Sequence, residues 1–276
     1  MHPVLFEIKG FTFYTYGLTM ALGFICAYAL MYHLARRGSE DTAFYENLFL
    51  WLIVFGIAGA KILHMTVMGT GSLSTWGDFV GCLRGGLAWY GGVIADIIFL
   101  FFYCRRHKKS FSHVLDVISA PAMLGLGIGR WGCLMAGCCH GKPTSLPFPF
   151  SITYPLGPYA NEVAGIPVHP APVYASINAF IIAAICYLVY TRTKRQGLTV
   201  YVMLTLYSVT RFLLEQFVRG DSDRGWVIPD ILSTSQFIGI IIFFPALYLL
   251  IRTLRKPLPE TGAAPEPGSG EEKKER

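Results

Sequence analysis

Two arginines lie inside long apolar stretches of this 276-residue chain: Arg130 in PAMLGLGIGRWGCLMAG and Arg211 in LTVYVMLTLYSVTRFLLEQF. An arginine held deep in hydrocarbon costs on the order of 2.5 to 17 kcal/mol, depending on the reference scale. Such residues therefore mark functional sites by default. Two of them point to a common anionic partner, and the abundant anion of a membrane is a lipid phosphate. A guanidinium grips phosphate through a planar fork of N–H donors.

Other groups of residues could share that chemistry. Tyr207, Arg211 and Glu215 follow one another at intervals of four, which sets them on one helix face. Arg211 and Glu215 read either as an internal ion pair or as a carboxylate that orients a phosphate-binding guanidinium. Around Arg130, Gly125, Gly127, Gly129 and Gly132 allow close backbone approach. A Gly-rich block, Leu83-Arg84-Gly85-Gly86-Leu87-Ala88-Trp89-Tyr90-Gly91-Gly92, frames two aromatic residues between glycine pairs. These glycines suit the approach of a backbone or a ligand. Tyr90 itself reads equally as a residue of an interfacial aromatic belt. Thr15-Tyr16-Gly17-Leu18 and His169-Pro170-Ala171-Pro172-Val173-Tyr174 open two further apolar segments.

Cys133, Cys138, Cys139 and His140 cluster in sequence. Adjacent cysteines are an unusual start for a structural zinc site, which normally spaces its ligand pairs by two to four residues. On an outer, oxidising face a Cys133–Cys138 disulfide is the favoured expectation. A reactive thiol beside Arg130 is the third option. Cys26, Cys104 and Cys186 lie in or beside apolar segments and read as small hydrophobic residues.

The elements that hold these residues are membrane helices. Hydrophobic residues make up 53% of the chain and charged residues only 14%, with a mean hydropathy of +0.48. Soluble domains carry about 25% charged residues. About seven segments are long enough to span ~30 Å of hydrocarbon: 14–34, 44–66, 86–104, 114–136, 172–191, 198–216 and 231–251. The second carries Lys61 and the third Asp96. An all-α integral membrane protein of about seven helices is the expected fold class.

The net charge of +6 does not imply nucleic acid, because its distribution follows a membrane rule. Arg36, Arg37, Arg105, Arg106, Lys108, Lys109, Arg192, Lys194, Arg195, Arg252, Arg255 and Lys256 fall in alternate connections. The positive-inside pattern places these in the cytoplasm, the N-terminus outside and the C-terminus inside. The first residues, MHPVLFEIKG, do not read as a cleaved signal peptide. The division expected is a membrane domain over 1–256 and a disordered cytoplasmic tail over 257–276, rich in Pro, Gly, Glu and Lys. The longest connection, about residues 137–171, is expected outside.

Taken in order, these blocks resemble the prolipoprotein diacylglyceryl transferase family. Tyr16-Gly17 resembles its first-helix Tyr-Gly. Residues 85–92 resemble its Gly-Gly-Met-Ser-Phe-His-Gly-Gly block, and Gly129 through Gly141 its Gly-Arg-Ile-Gly-Asn-Phe-x-Asn-x-Glu-x-x-Gly signature. His169 through Tyr174 resembles His-Pro-x-Gln-x-Tyr, with Pro172 at the Gln. Tyr207, Arg211, Phe212, Glu215 and Asp221 match a further block, in which Arg219 falls one place late. Ser233 and Gln236 match a Ser-x-Gly-Gln block. The similarity runs from about residue 12 to 252. The departures are Tyr90 at the family's histidine, Cys133 and Ala136 at its two asparagines, and Cys138 at its glutamate.

The resemblance implies a multi-pass protein of the bacterial plasma (inner) membrane. It implies transfer of a diacylglyceryl group from phosphatidylglycerol to the lipobox cysteine thiol of a prolipoprotein, with release of glycerol phosphate. Its partners are then phosphatidylglycerol, the prolipoprotein lipobox segment and the lipid bilayer, without nucleic acid, cofactor or metal. Arg211, Tyr90 and Glu215 are the implied catalytic residues. Arg130, Tyr16, Gly141, Tyr207 and His169 are the implied substrate-binding residues. Tyrosine is a poorer base than histidine at neutral pH. A divergent lipid-binding relative, with its cysteines in a thiol, redox or structural role and no transferase activity, is therefore the alternative. A lipid or small-anion transporter fits less well, since no internal repeat is visible.

Overall fold

The computed structural model describes residues 3–8, 11–68, 88–156, 162–193, 195–219, 226–228 and 232–256. Residues 83–87 of the Gly-rich block, Cys82, Asp221, Lys194 and the tail 257–276 lie outside them. Seven α-helices make up most of the described chain: α1 (Thr15–Arg37), α2 (Thr42–Met68), α3 (Trp89–Arg106), α4 (Phe111–Ala136), α5 (Ala171–Arg192), α6 (Leu198–Leu214) and α7 (Thr234–Arg255). A five-residue π-turn, Glu215–Arg219, continues α6. In hydrocarbon no water satisfies backbone N–H and C=O groups, so apolar segments of this length close their hydrogen bonds internally as helix.

Six of these helices are long and apolar enough to cross a membrane: α1, the 42–66 part of α2, α4, α5, α6 with its π-turn, and α7. Sequence reading expects seven spans. The difference is α3, whose 18 residues include Asp96, Arg105 and Arg106. Large apolar side chains face outward around the bundle, among them Ile25, Leu50, Ile62, Phe102, Ile181 and Phe244. A water-soluble monomer rarely presents so much apolar surface. The chain is a mostly helical, multi-pass membrane protein.

Three two-stranded antiparallel ribbons, absent from the sequence reading, sit in the connections at one end. They are β1 (Val4–Ile8) with β2 (Phe11–Tyr14), β3 (Ile152–Thr153) with β4 (Pro167–Val168), and β5 (Trp226–Ile228) with β6 (Leu232–Ser233). β2 runs straight into α1, and Ser233 ends β6 and caps α7. The Gln236 N–H donates to Ser233 Oγ at 3.2 Å, and the Ser233 N–H donates back to Gln236 Oε1 at 3.0 Å. This reciprocal pair satisfies two helix-start donors.

Helix α4 is the central element, packed against α1 and α5 over long interfaces and against α6 over a shorter one. The main core joins Met31 and Leu34 of α1, Tyr45 and Leu48 of α2, Leu100 of α3, Val114 and Val117 of α4, and Ile182 of α5. All belong to the halves nearest the basic connections. Cys104 and Cys186 are buried within this core, as expected of small hydrophobic residues. Helices α2 and α3 meet at glycines: a Cβ on Gly92 would stand 2.8 Å from the Gly56 carbonyl oxygen. The second glycine pair of the Gly-rich block therefore serves helix contact, which small residues permit.

The basic connections gather at a single end. Arg195 donates to the Thr253 and Leu254 carbonyls at the end of α7. Arg37 donates to Tyr187 of α5, and Glu40 takes His113 Nε2 at 2.7 Å and Lys109 at 3.4 Å. Among them Asp116 of α4 is buried, at 3% exposure. Its carboxylate accepts the Gly197 N–H at 2.5 Å and the Val200 N–H at 2.9 Å. It therefore caps α6 from another helix, where a negative charge also suits the helix dipole. Replacing Asp116 with alanine orphans both donors and is expected to cost about 1–3 kcal/mol. Thermal unfolding in detergent measures this, and an unchanged midpoint would contradict the capping role.

Candidate active site

At the end opposite the basic connections, a small pocket opens between α4, α5 and α6. Arg130, Arg211 and Arg219 line it, with Cys139, Ala171 and Pro172. The two arginines singled out from sequence thus share one cavity. Arg219 joins them as a third cation that the candidate set omitted.

Each arginine has a local reason for its place. Arg130 lies on α4 six residues before its last residue, Ala136. Ser176 of α5 holds that stretch by donating to the Gly127 carbonyl at 2.8 Å. The electrostatic neighbours of Arg130 are Tyr207, Cys133 and Cys139. Arg211 lies in the last turn of α6, which Asn178 of α5 anchors through Thr210 Oγ1 at 3.0 Å. Arg211 Nη2 meets Glu215 Oε2 at 2.7 Å, and Glu215 is buried at 3% exposure. The four-residue spacing did place this pair on one face.

Arg219, also buried, reaches the pocket through the π-turn. A π-turn accommodates one more residue than an α-turn and recurs at functional sites. An arginine one place late in sequence is thereby carried round to the cavity. The signal for it was present in the spacing of four between Glu215 and Arg219, which continues the interval from Tyr207 through Arg211.

Neighbouring segments clamp this turn. Gln236, the partner of the Ser233 cap in the first turn of α7, donates to Gln216 Oε1 at 3.0 Å. Lys142 Nζ donates to the Gln216 carbonyl at 3.1 Å, and the Lys142 N–H donates to the Val218 carbonyl at 2.8 Å. The Gly141 N–H donates to the His169 carbonyl, and the His169 N–H to the Lys142 carbonyl, each at 3.0 Å. Gly141 is wedged between these strands of backbone. A Cβ there would lie 2.7 Å from both His169 Cβ and the Val218 carbonyl oxygen. Gly141 and His169 therefore brace the π-turn beside the pocket. His169 Nδ1 is buried with no hydrogen-bond partner among the described residues.

Two other candidates are near Arg130. Tyr207 is its electrostatic neighbour, and Tyr16 of α1 has both Arg130 and the Cys133–Cys138–Cys139 group in range. Tyr90 is not among the residues lining the pocket. It stands at the start of α3, and its hydroxyl donates to Ser235 Oγ of α7 at 3.4 Å.

The cysteines depart from the sequence expectation of a brace, because Cys133 and Cys138 both carry free thiols. Hydrogen bonding to the Cys133 and Cys139 sulfurs, reinforced by burial, pushes the Cys138 thiol far above its ordinary range. That disfavours the thiolate and removes the reason to read Cys138 as an activated nucleophile. Tyr154, in the same connection, is pushed up to about 12 by burial.

The family model described as prolipoprotein diacylglyceryl transferase matches residues 3–252. A phosphatidylglycerol–prolipoprotein diacylglyceryl transferase of Clostridium tetani is 31% identical over 249 residues, covering 90% of this chain and 96% of the relative. A second such transferase of Clostridium perfringens is 34% identical over 270 residues, covering 95% and 99%. One from Finegoldia magna is 28% identical over 253 residues, covering 91% and 96%. With a membrane bundle, a tri-arginine pocket and a match along nearly its whole length, the chain belongs to the prolipoprotein diacylglyceryl transferase family and is an enzyme of the transferase class.

Proposed function

We propose that the chain transfers the diacylglyceryl group of phosphatidylglycerol to the lipobox cysteine thiol of a prolipoprotein, releasing glycerol phosphate. The observation that carries this reading is the pocket where Arg130, Arg211 and Arg219 converge inside an apolar bundle. Three guanidinium groups line this pocket, and among the described residues Glu215 pairs with Arg211. A lipid phosphate supplies the matching anion.

The reaction suits that cluster. The cysteine sulfur forms a C–S bond to the glyceryl carbon, the C–O bond to phosphate breaks, and the phosphate oxygen keeps the electron pair. The thiol proton passes to solvent. Phosphate enters as a monoanionic diester and leaves as a monoester that carries up to a second charge. Cations fixed around it therefore stabilise the transition state more than the bound lipid. Arg130 and Arg211 hold the phosphate, and Glu215 positions Arg211. Tyr16 and Tyr207 border the headgroup beside Arg130, while Gly141 and His169 brace its wall. Tyr90 takes the thiol side, where its hydroxyl can donate and accept hydrogen bonds. The lipid brings its own leaving group, so the transfer draws on no cofactor.

The same reading assigns a topology. Seven helices cross the bacterial inner membrane, α3 among them although it carries Asp96, Arg105 and Arg106. The end that gathers Arg37, Lys109 and Arg195 faces the cytoplasm, as the positive-inside rule requires. The N-terminus and the pocket then face outward, toward exported substrate. Residues 1–256 form the membrane domain, and 257–276 a disordered cytoplasmic tail.

Purified protein, labelled phosphatidylglycerol and a lipobox peptide provide the test, with the thioether product read by mass spectrometry. Arg130→Ala and Arg211→Ala are each expected to reduce transfer at least ~10²-fold, the scale of losing one donor to developing charge. Both variants should still accumulate in the membrane. Full activity in both would overturn the proposal. Absence of product from the unaltered chain, with lipid binding intact, would favour the divergent lipid-binding relative. Glu215→Gln removes the partner of Arg211 while preserving shape, and kcat is expected to fall about tenfold or more. An unchanged kcat would leave Glu215 with a packing role alone.

A further inference from the structure

The connection leaving α4 curls back on the helix it follows. Gly137 takes a left-handed conformation (φ 72°), and Cys139 does so again (φ 58°). The Cys138 N–H donates to the Cys133 carbonyl at 3.1 Å. Positive φ is uncommon for a residue with a side chain, and it recurs where local geometry serves a site. The effect here is to bring three sulfurs from positions 133, 138 and 139 into one triangle, all within 4.8 Å of one another.

We propose that Cys133, Cys138 and Cys139 form a binding site for a soft, thiolate-seeking cation of the zinc type. Thiolate ligands at about 2.3 Å around a tetrahedral zinc stand roughly 3.8 Å apart. The widest sulfur pair therefore needs to close by about 1 Å, within reach of side-chain rotation. A disulfide would pair two sulfurs and leave the third aside, whereas here all three lie within 4.8 Å of one another. Cys133 is buried and fixed on the last turns of α4, while Cys138 is exposed and gives an entering ion a path. Water from that side fills the fourth position. Soft sulfur ligands select such cations over magnesium or calcium.

Charge balance favours the same occupant. Three thiolates around a divalent cation carry one net negative charge, and Arg130 lies beside Cys133 and Cys139. Binding releases one proton from each thiol to solvent as its sulfur takes the metal. Cys139 also forms part of the pocket wall. A bound cation would therefore lock the turn that shapes one side of the arginine pocket, without touching the reacting atoms.

Full-length protein in detergent, stripped with a chelator and dialysed against micromolar zinc, tests this. About one zinc per chain by elemental analysis is expected, and cobalt(II) in its place should show a thiolate-to-cobalt charge-transfer band. Cys138→Ser and Cys139→Ser, each with unaltered helical circular dichroism, are expected to lose the band and at least tenfold in zinc affinity. Equal zinc retention by the variant with all three cysteines changed to serine would overturn the site. So would a Cys133–Cys138 disulfide mapped in protein purified without added oxidant.

Discussion

The fold is organised around positive charge held away from water. Arg130, Arg211 and Arg219 share a pocket in an apolar bundle, with the Glu215 carboxylate 2.7 Å from Arg211. A buried ion pair gains little net stability, because desolvating both groups costs about as much as their attraction returns. Its use is to hold a guanidinium in one orientation. Three guanidinium groups in one pocket suit the phosphate of the proposed lipid substrate, and the surrounding structure holds them there.

That task divides the bundle into two halves. At the basic end, aliphatic and aromatic side chains of α1 to α5 interlock, and Asp116 ties α4 to the start of α6. The helices are thereby fixed to one another at a distance from the chemistry. At the other end they part, and polar contacts take over from packing. Lys142, Gln216, Gln236, Gly141 and His169 form a network of backbone and amide hydrogen bonds around the π-turn. A rigid base and a hydrogen-bonded rim allow a cavity to stay open without letting its charges drift.

The departures from the family pattern fall in two places, the cysteine cluster near Arg130 and Tyr90 at the start of α3. Cysteines occupy signature positions beside Arg130, and their sulfurs converge where a polar side chain would be expected. Tyr90 stands apart, joined to Ser235 at the start of α7. On the proposed reading, the residues that would hold phosphate keep the family's types, while the departures fall among the other signature positions. This fits chemistry dominated by the leaving group, since cations that stabilise a departing phosphate act whatever group accepts the glyceryl carbon.

Much of this was legible in the residues themselves. Apolar length marked the helices, because a membrane leaves a backbone no other way to satisfy its hydrogen bonds. Alternating basic connections anticipated the end at which Arg37, Lys109 and Arg195 now gather. Two arginines in apolar runs named the pocket before any coordinate, and a spacing of four joined Arg211 to Glu215. What required the tertiary structure was convergence across elements. Arg219 entered the cavity through a π-turn, a local change of register that its four-residue spacing from Glu215 did not specify. Asp116 found its partners 81 and 84 residues away. The cysteine triangle depended on two left-handed residues, Gly137 and Cys139, where the expected outer, oxidising location had suggested a disulfide instead. Periodicity and composition are local properties of a chain. Distances between side chains on different helices are set by packing, and only the packed bundle decides them.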